Sequence, residues 1–574
     1  MKKVSGKKLR ENLQNVNWIL RQAKGIRGYI GVFLLINLIS MVVSLASTIV
    51  GKYVVDAATG YRTEFFTRYI IIMLATSVFS ILFSVGASLF SSYASEKFAF
   101  GLRGKLFDRV QRSLWQEVSR FHSGDLLSRL TSDISAICSG ILSITASLIV
   151  TCVQILIVLV ILFRYDPYMA LFGLIIGPAG LLAAVLYRKR YSRYQKELKQ
   201  SESEYYSFFQ EHLANLSVVK SFQLEDRNNE YFDGLRSRRL KLVMKSAGLS
   251  TAMSAIMRLI YSLGYVAAFT YCACRLSGAI TFAHEAIPYT YGTMTLFLSL
   301  MSQLQSSIRS LGNFIPQFYG MLVSARRLRT ITELEREDYT PGDGQPSQVG
   351  IRLEQVDFSY DTAPVLRGLD FRVRPGERIG VVGASGAGKT TLVRLLLSLV
   401  QPQKGQISYF APDGWQESAC PASRRLISYV PQGNTLLSGT VRENLLLCRP
   451  EATDEQMWQA LELADAADFL RRSARGLDTE LSEKAGGLSE GQAQRIAIAR
   501  ALLRDRPVLI MDEATSALDE QTEARILARV SAHCKSTCVI ITHRRSMLQY
   551  CDRILEIRPD GTGSLRDARP KEEA

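Results

Sequence analysis

Apolar residues are spread unevenly along the chain, and two different patterns divide it. In the first half, uncharged apolar stretches fall at 29–50, 69–95, 134–163, 167–187, 259–274 and 286–308. Most reach the roughly 20 residues that a helix needs to cross a bilayer. The fifth is short but continues N-terminally through Arg258 into 246–257. One such stretch could be a buried helix of a soluble protein; six in succession predict membrane spans. Residues 326–337 read as a charged helix leaving the sixth stretch, and the turn-rich run 340–347 breaks it. From Gly350 onward, short apolar runs (351–358, 379–382, 508–513, 538–541) alternate with amphipathic helical patterns. That alternation predicts an α/β domain with a mainly parallel sheet. The expected division is a six-helix transmembrane domain over 1–335, a linker over 336–349 and an α/β domain over 350–574. No internal repeat or low-complexity tract interrupts it.

Composition alone hides this division, because 47% hydrophobic residues is ordinary for a soluble protein. Charge sharpens it. A net charge of +16 could suggest nucleic acid as a partner, but the cations are placed otherwise. They crowd the N-terminus (Lys2, Lys3, Lys7, Lys8, Arg10), the loop between stretches two and three (Lys97, Arg103, Lys105, Arg109, Arg112) and the loop after stretch four (Arg188, Lys189, Arg190, Arg193, Lys196). The opposite loops are short and hold few. This asymmetry puts both termini and the two long loops in the cytoplasm and makes the bilayer, not nucleic acid, the partner. The first apolar stretch is too long for a cleaved signal peptide and lacks a small-residue cleavage site. Residues 9–22 fit a basic amphipathic helix at the inner interface or a disordered basic tail. The nine cysteines form no zinc-like double pair and read as free thiols of a reducing compartment.

Two motifs carry the chemistry. Residues 383–390 read GASGAGKT, after a strand-like run and before a helix-like one, 392–400. In such a loop Gly383, Ala384, Ser385, Gly386, Ala387 and Gly388 present backbone N–H groups to a polyphosphate. Lys389 reaches the outer phosphates, and the Thr390 hydroxyl, followed by Thr391, is placed for Mg²⁺. Residues 508–513 form an apolar run ending in Asp512 and Glu513. In parallel sheets ligands gather at the strands' carboxyl ends. Asp512 is expected to hold Mg²⁺, and Glu513 to face an attacking water, since a metal needs a fixed charge and hydrolysis needs a proton acceptor.

With these in place the chain resembles a known family. The order Tyr360, GASGAGKT, Gln432 in a YVPQ run, LSEGQ at 488–492, the acidic strand, Asp519 in SALD, and His543 in ITH is that of an ABC-transporter nucleotide-binding domain. SGDLLSRLTSD at 123–133 and VVKSF at 218–222 match cytoplasmic-loop patterns of the six-helix membrane domain of type I (type IV) exporters. The resemblance covers essentially the whole chain and implies an ATPase coupled to movement of substances across a membrane. It implies that Tyr360 stacks on the adenine of ATP, and that Gln432 touches Mg²⁺ and the attacking water. His543 would contact the γ-phosphate, and Asp519 would act across a dimer. Ser489, Gly491 and Gln492 would meet ATP held by a second half-transporter, using a helix N-terminus as an anion site. The family's usual glycine is replaced by Glu490. Ser489 to Gln492 also reads as a capping box, and a first-turn glutamate suits its own helix dipole, so the Glu490 side chain is expected to point away from phosphate.

One phosphate loop and one signature per chain imply a homodimer or heterodimer. The loop turns near 116–123 and 211–221 would be coupling helices docked on the ATPase domains, driven by ATP-biased exchange between two states. Ser302, Ser306, Arg309 and Asn313 share one face of the sixth span; they could line a path or bond to other helices. The expected function is export of amphipathic small molecules, lipids or peptides, from a plasma (inner) membrane that half-transporter size and the lack of organellar targeting mark as bacterial. An exporter-fold importer with a siderophore-like substrate, or an ATP-gated channel or regulatory subunit, would carry the same motifs. A leader-cleaving peptide exporter is disfavoured, because nothing like a peptidase domain precedes the first span.

Overall fold

The computed structural model describes residues 2–60, 63–279, 289–340, 342, 344, 346–360, 363–433, 435–482 and 487–568. The chain forms two compact units. One comprises Met1–Asp108 and Ser123–Glu333, the other Arg109–His122 and Leu334–Ala574.

Helices follow one another as far as residue 332: α1 (Lys2–Ala23), α2 (Arg27–Ala58), α3 (Phe66–Gln111), α4 (Trp115–Val118), α5 (Ser123–Ser128), α6 (Ile134–Tyr165), α7 (Pro167–Ala214), α8 (Leu216–Ser221), α9 (Glu225–Leu276) and α10 (Tyr291–Thr332). Among the described residues four helical stretches are long and apolar enough to cross a membrane: Arg10–Ala58, Thr63–Gln111, Ser123–Tyr165 and Glu225–Leu276. The other two expected spans fall on α7 and α10; positions 286–288, at the start of the sixth, lie outside the described residues. The reversal between α6 and α7 is local chemistry. Asp166 caps α7 by accepting from the Tyr168 N–H at 2.9 Å, and Pro167 occupies the first turn, where its missing N–H costs nothing. With 48 residues, α7 is about 70 Å long, more than twice the roughly 30 Å of a hydrocarbon core. The core of this unit joins α2, α6, α7, α9 and α10 through Leu45, Leu162, Met169, Ala268, Phe297 and Met301. Other large apolar side chains, such as Leu74, Leu82, Leu156 and Leu263, stay exposed, as lipid-facing residues do.

The charged residues of the 123–133 pattern have partners on α10. Asp133 is buried and accepts from Ser324 Oγ at 2.8 Å and from Arg327 at 2.9 Å. Asp125 bonds Arg129 at 2.9 Å and Arg327 at 2.6 Å. The basic N-terminal segment is helical. Asn15, Trp18 and Ile19 of α1 are buried, and Asn15 accepts from Arg329 at 2.9 Å.

The second unit holds β1 (Gly350–Tyr360), β2 (Ala363–Val373), β3 (Arg378–Gly383), α11 (Lys389–Leu396), β4 (Lys404–Phe410), β5 (Gln416–Ser418), β6 (Ile427–Val430), β7 (Gly439–Thr440), α12 (Val441–Leu446), α13 (Asp454–Leu463), α14 (Ala467–Arg472), β8 (Glu480–Leu481), α15 (Glu490–Arg504), β9 (Val508–Asp512), α16 (Glu520–His533), β10 (Thr537–Ile541), β11 (Arg553–Ile557) and β12 (Gly563–Asp567). The central sheet runs β12-β11-β3-β10-β9-β6 and is parallel except for its edge strand β12. A second, antiparallel sheet, β2-β1-β4-β5, packs over α11. The alternation of strand and helix did not reveal this antiparallel layer, because β1–β2 and β4–β5 are hairpins without a helix between them and β1 pairs with β4 across β3 and α11.

The charged helix expected over 326–337 stops sooner. α10 ends at Thr332, and the chain then runs extended beside the loop after α3. Arg336 pairs with Ser113 in an antiparallel bridge, Leu114 N–H donates to Glu335 O at 2.9 Å and Glu337 N–H to Arg112 O at 2.8 Å. Non-local pairing thus outcompetes helix continuation. The Glu337 carboxylate takes both arms of Arg424, at 2.6 and 2.9 Å. Burial pushes its pKa up, but the Arg424 and Tyr339 hydrogen bonds outweigh this and hold it below the usual range. It therefore contributes stability that is complete above an unfolded glutamate's value of about 4.3 and is lost as pH falls through the lower folded value. Replacing Glu337 with alanine leaves the Arg424 guanidinium without its carboxylate and should cost about 2–3 kcal/mol, less than a fully buried broken pair because Arg424 keeps two carbonyl partners and some solvent access. Thermal unfolding of the purified chain followed by tryptophan fluorescence would read this.

Candidate active site

The phosphate loop begins where β3 ends. β3 lies inside the sheet between β10 and β11; Ile379 and Val381 are fully buried, and past Arg378 the strand carries only apolar residues. Two of the glycines are sterically required. A Cβ on Gly383 would lie 2.5 Å from Ile557 O, and one on Gly388 would meet Leu366 Cδ2 at 2.9 Å, with φ at +105°. Gly386 also has positive φ, +82°. Gly388 opens α11, whose first residue is Lys389. Ala384, Ser385, Gly386 and Thr390 are exposed, whereas Ala387, Lys389 and Thr391 are buried. The Lys389 ammonium folds back on the loop, donating to Gly383 O at 2.8 Å and Ala384 O at 3.0 Å. Burial depresses its pKa against the opposing pull of Glu513 and Asp512.

The ends of three neighbouring parallel strands deliver the acidic group and its partners. β9 is buried throughout and ends in Asp512, in register with Ile541 of β10. Burial and the neighbouring Glu513 raise the Asp512 pKa, with Lys389 opposing. Glu513 follows in a left-handed conformation, φ +48°, its N–H donating to Ile541 O at 3.1 Å. That turn aims its carboxylate between two side chains from the adjacent strand ends. Gln432, two residues past β6, donates Nε2–H to Oε2 at 2.7 Å. His543, two residues past β10, places Nε2 2.8 Å from Oε1. Of the three residues expected to carry the chemistry, Glu513 therefore touches both of the others.

The remaining expected residues divide into two groups. Tyr360, at the end of β1, is half-buried with its ring edge-on to Phe358 at 4.9 Å, and its hydroxyl accepts from Arg394 at 2.8 Å. Ser489 caps α15, accepting from the Gln492 N–H at 3.2 Å while Gln492 Oε1 accepts from the Ser489 N–H at 2.9 Å. The capping box read from the sequence is present, and Glu490 is exposed on its first turn. Gly491 lies against the loop before α16; a Cβ there would stand 3.0 Å from Ala517 O. Asp519 is itself a helix cap, its carboxylate accepting from the Thr522 N–H at 2.9 Å. The capping bonds of Ser489 and Gln492 thus close within the signature segment, and Gly491 packs on the 516–518 loop.

Three residues that motif reading passed over hold this arrangement. Gln494 is buried and bonds Ser516 Oγ at 3.0 Å and Ala517 N–H at 3.1 Å. Arg544 donates to Leu518 O at 2.9 Å and to the buried Glu523 at 2.7 Å, tying the segment after His543 to the loop before α16. Arg394 joins Tyr360 to the rest of the unit. Only their positions beside His543 and within the helices that follow the motifs could have pointed to them.

The donors around the loop are hard oxygens. They are the exposed Thr390 hydroxyl, the Asp512 carboxylate and the Gln432 amide oxygen, whose nitrogen is engaged with Glu513. Mg²⁺ favours such donors and is held by one or two side chains together with phosphate oxygens. Among the described residues no three His, Cys, Asp or Glu side chains cluster as an all-protein metal site.

Comparison with known proteins agrees with this geometry. The family described as ABC transporter transmembrane region matches residues 30–308, and the family described as ABC transporter matches residues 366–516. A putative multidrug export ATP-binding/permease protein of Staphylococcus aureus strain NCTC 8325 is 30% identical over 481 residues, covering 81% of this chain and 80% of that protein. Its counterpart in the bovine strain RF122 matches to the same extent. The structure of a bacterial Atm1-family ABC exporter with ATP bound superposes with a TM-score of 0.78 at 24% identity, covering 94% of both chains, and so shares the fold. The chain belongs to the ABC transporter family, as a half-transporter with one membrane region fused to one ATPase. It is a multi-pass membrane protein that binds ATP and couples its hydrolysis to transport.

Proposed function

We propose that two such chains form a dimer that exports amphipathic small molecules, lipids or peptides by alternating access, from a bacterial plasma membrane with both termini in the cytoplasm. Residues 1–335 form its transmembrane domain, 336–349 the linker and 350–574 the ATPase. The observation that carries the ATPase part is the Glu513 carboxylate, bonded at once by Gln432 and His543 beside the Lys389 loop. Tyr360 stacks on adenine. Gly383, Ala384, Ser385, Gly386, Ala387, Gly388, Lys389, Thr390 and Thr391 cradle the phosphates, where a helix N-terminus favours anions. Thr390, Asp512 and Gln432 hold Mg²⁺, which when bound supplies charge neutralisation. Glu513 accepts the proton of the attacking water, and His543 holds that water's geometry at the γ-phosphate. Ser489 and Gln492 bond each other, and Gln494 ties their helix to the 516–517 loop of the same chain; this supports a site completed by the partner's Ser489, Gly491, Gln492 and Asp519.

Export rather than import draws on the multidrug-export names of the Staphylococcus aureus relatives. On α10, Ser302, Ser306 and Arg309 are exposed along one face, with Arg309 over the Tyr261 ring at 5.2 Å. Gln303 instead bonds Thr48 at 2.7 Å, so it serves helix packing. The Asn313 side chain lies outside the described residues. The polar face supports a substrate path with few charges. ATP-dependent accumulation of an amphipathic dye in inverted vesicles tests export. Uptake only into right-side-out vesicles would mean an importer, and ATP turnover without any movement of substrate a regulatory role.

The signature glutamate makes a small prediction. Because Glu490 is exposed and the capping box carries the helix start without it, Glu490→Gly should change the ATPase rate by less than about fivefold, the scale of a dipole or surface-charge effect of under 1 kcal/mol. Steady-state ATPase assays of the two purified forms decide it; a larger gain would mean that this charge faces the partner's phosphate.

A further inference from the structure

Helix α4 comes from the loop between the second and third spans, yet it lies in the same compact unit as the ATPase. Its Trp115 packs on the apolar core formed by β1, β2 and α11. Leu114 N–H donates to Glu335 O at 2.9 Å, and Glu117 accepts from the Glu335 N–H at 2.7 Å. The same strap is clamped to the C-terminal end of α11, because Arg424 joins Glu337 to Leu397 O at 2.7 Å and Ser398 O at 2.9 Å. One side chain links α4 to the base end of the nucleotide site. Arg394, on the helix that starts at the phosphate loop, donates to the Tyr360 hydroxyl at 2.8 Å, and its guanidinium lies 5.0 Å from the centre of the Trp115 ring.

We propose that Arg394 is a positioning residue that transmits occupancy of the base site at Tyr360 to Trp115 of α4. This rests on the reading of Tyr360 as the adenine platform. The chemistry suits the task. A guanidinium is planar and rigid, so one group can donate to a phenol oxygen while presenting its face to an indole. A base that stacks on Tyr360 fixes the tyrosine ring, the ring fixes the Arg394 plane, and that plane sets where Trp115 rests. A lysine could serve one contact or the other, since an ammonium has no fork. The hydroxyl of Tyr360 takes no part in stacking, so base binding and its transmission reside in different atoms of one residue.

The test measures amide exchange across 115–121 in the full-length Glu513→Gln chain, with and without Mg-ATP. ATP should slow exchange there about tenfold, the size of one well-formed contact. Tyr360→Phe removes the hydroxyl that Arg394 bonds and, compared at saturating Mg-ATP, should lose the slowing. Arg394→Lys should lose it too, and Trp115→Phe, which keeps an aromatic face, should retain part of it. Slowing that persists in Tyr360→Phe and Arg394→Lys, or that is absent from the parent, overturns the relay. Tyr360→Ala separates the two readings. If ATP affinity is unaffected by Tyr360→Ala, the base platform itself is wrong. If affinity falls while Tyr360→Phe still shows slowing, only the relay is wrong.

Discussion

Glu513→Gln should lower ATP turnover by about 10²–10⁴-fold, the range for loss of a positioned general base. The amide keeps the shape of the carboxylate; its oxygen accepts from Gln432, and its NH2 donates to His543 Nε2 when the imidazole proton sits on Nδ1, so the strand-end arrangement survives. The left-handed backbone at this position bears glutamine as readily as glutamate. What disappears is the group that takes a proton from water. ATP binding, measured with a fluorescent analogue, should therefore stay close to that of the parent. Robust activity of the chain expressed alone, lost in this variant, would also mean that a homodimer completes the sites. A variant that still turns over at a third of the parent rate would move the base elsewhere.

Lys389→Ala should act at an earlier step, weakening ATP binding by about 10²-fold. That is the equivalent of about 2.7 kcal/mol, the scale of the charge-assisted hydrogen bonds that a buried ammonium makes to phosphate. Two further effects follow from its neighbours. The Gly383 and Ala384 carbonyls lose their donor, so the loop relaxes. Asp512, whose pKa burial and Glu513 already raise, loses the cation that opposes the shift and rises further. A protonated Asp512 cannot hold Mg²⁺, so the variant's residual binding should fall off at a higher pH than the parent's. Isothermal titration at two pH values reads both effects. Unchanged affinity would show that the ammonium remains committed to its own loop when ATP is present.

What the sequence disclosed, and what it withheld, follows the range of the interactions. The phosphate loop is contiguous, and Gly383 and Gly388 stand where backbone and side chains leave no room for a Cβ, so the motif is its own geometry. The run into Asp512 is apolar throughout because β9 is covered on both faces. Gln432, Glu513 and His543 are far apart in sequence, and only the resemblance to a family joined them; the shared register of β6, β9 and β10 is the physical reason they meet. Arg394, Gln494 and Arg544 were illegible because arginine and glutamine usually face solvent, on a helix or in a loop, and nothing local distinguishes one that reaches across. The β1–β4 pairing that unites the antiparallel sheet, and the early end of α10, failed to register for the same reason. Both depend on pairing with segments many residues away, and for α10 that partner is the loop after α3.

The compact unit that holds the ATPase is therefore drawn from two places along the chain. A fragment beginning at residue 334 would leave Trp115, Leu114 and Glu117 behind, exposing the apolar surface that Trp115 covers and one face of the Arg394 guanidinium. Such a fragment should be less soluble than the full unit, and restored by a peptide spanning 109–122. A transplant of the catalytic half between relatives would have to carry this short stretch with it, and substitutions at 115 should be inherited together with those at 394, 337 and 424. The heritable module is a pair of distant segments, not one contiguous cassette.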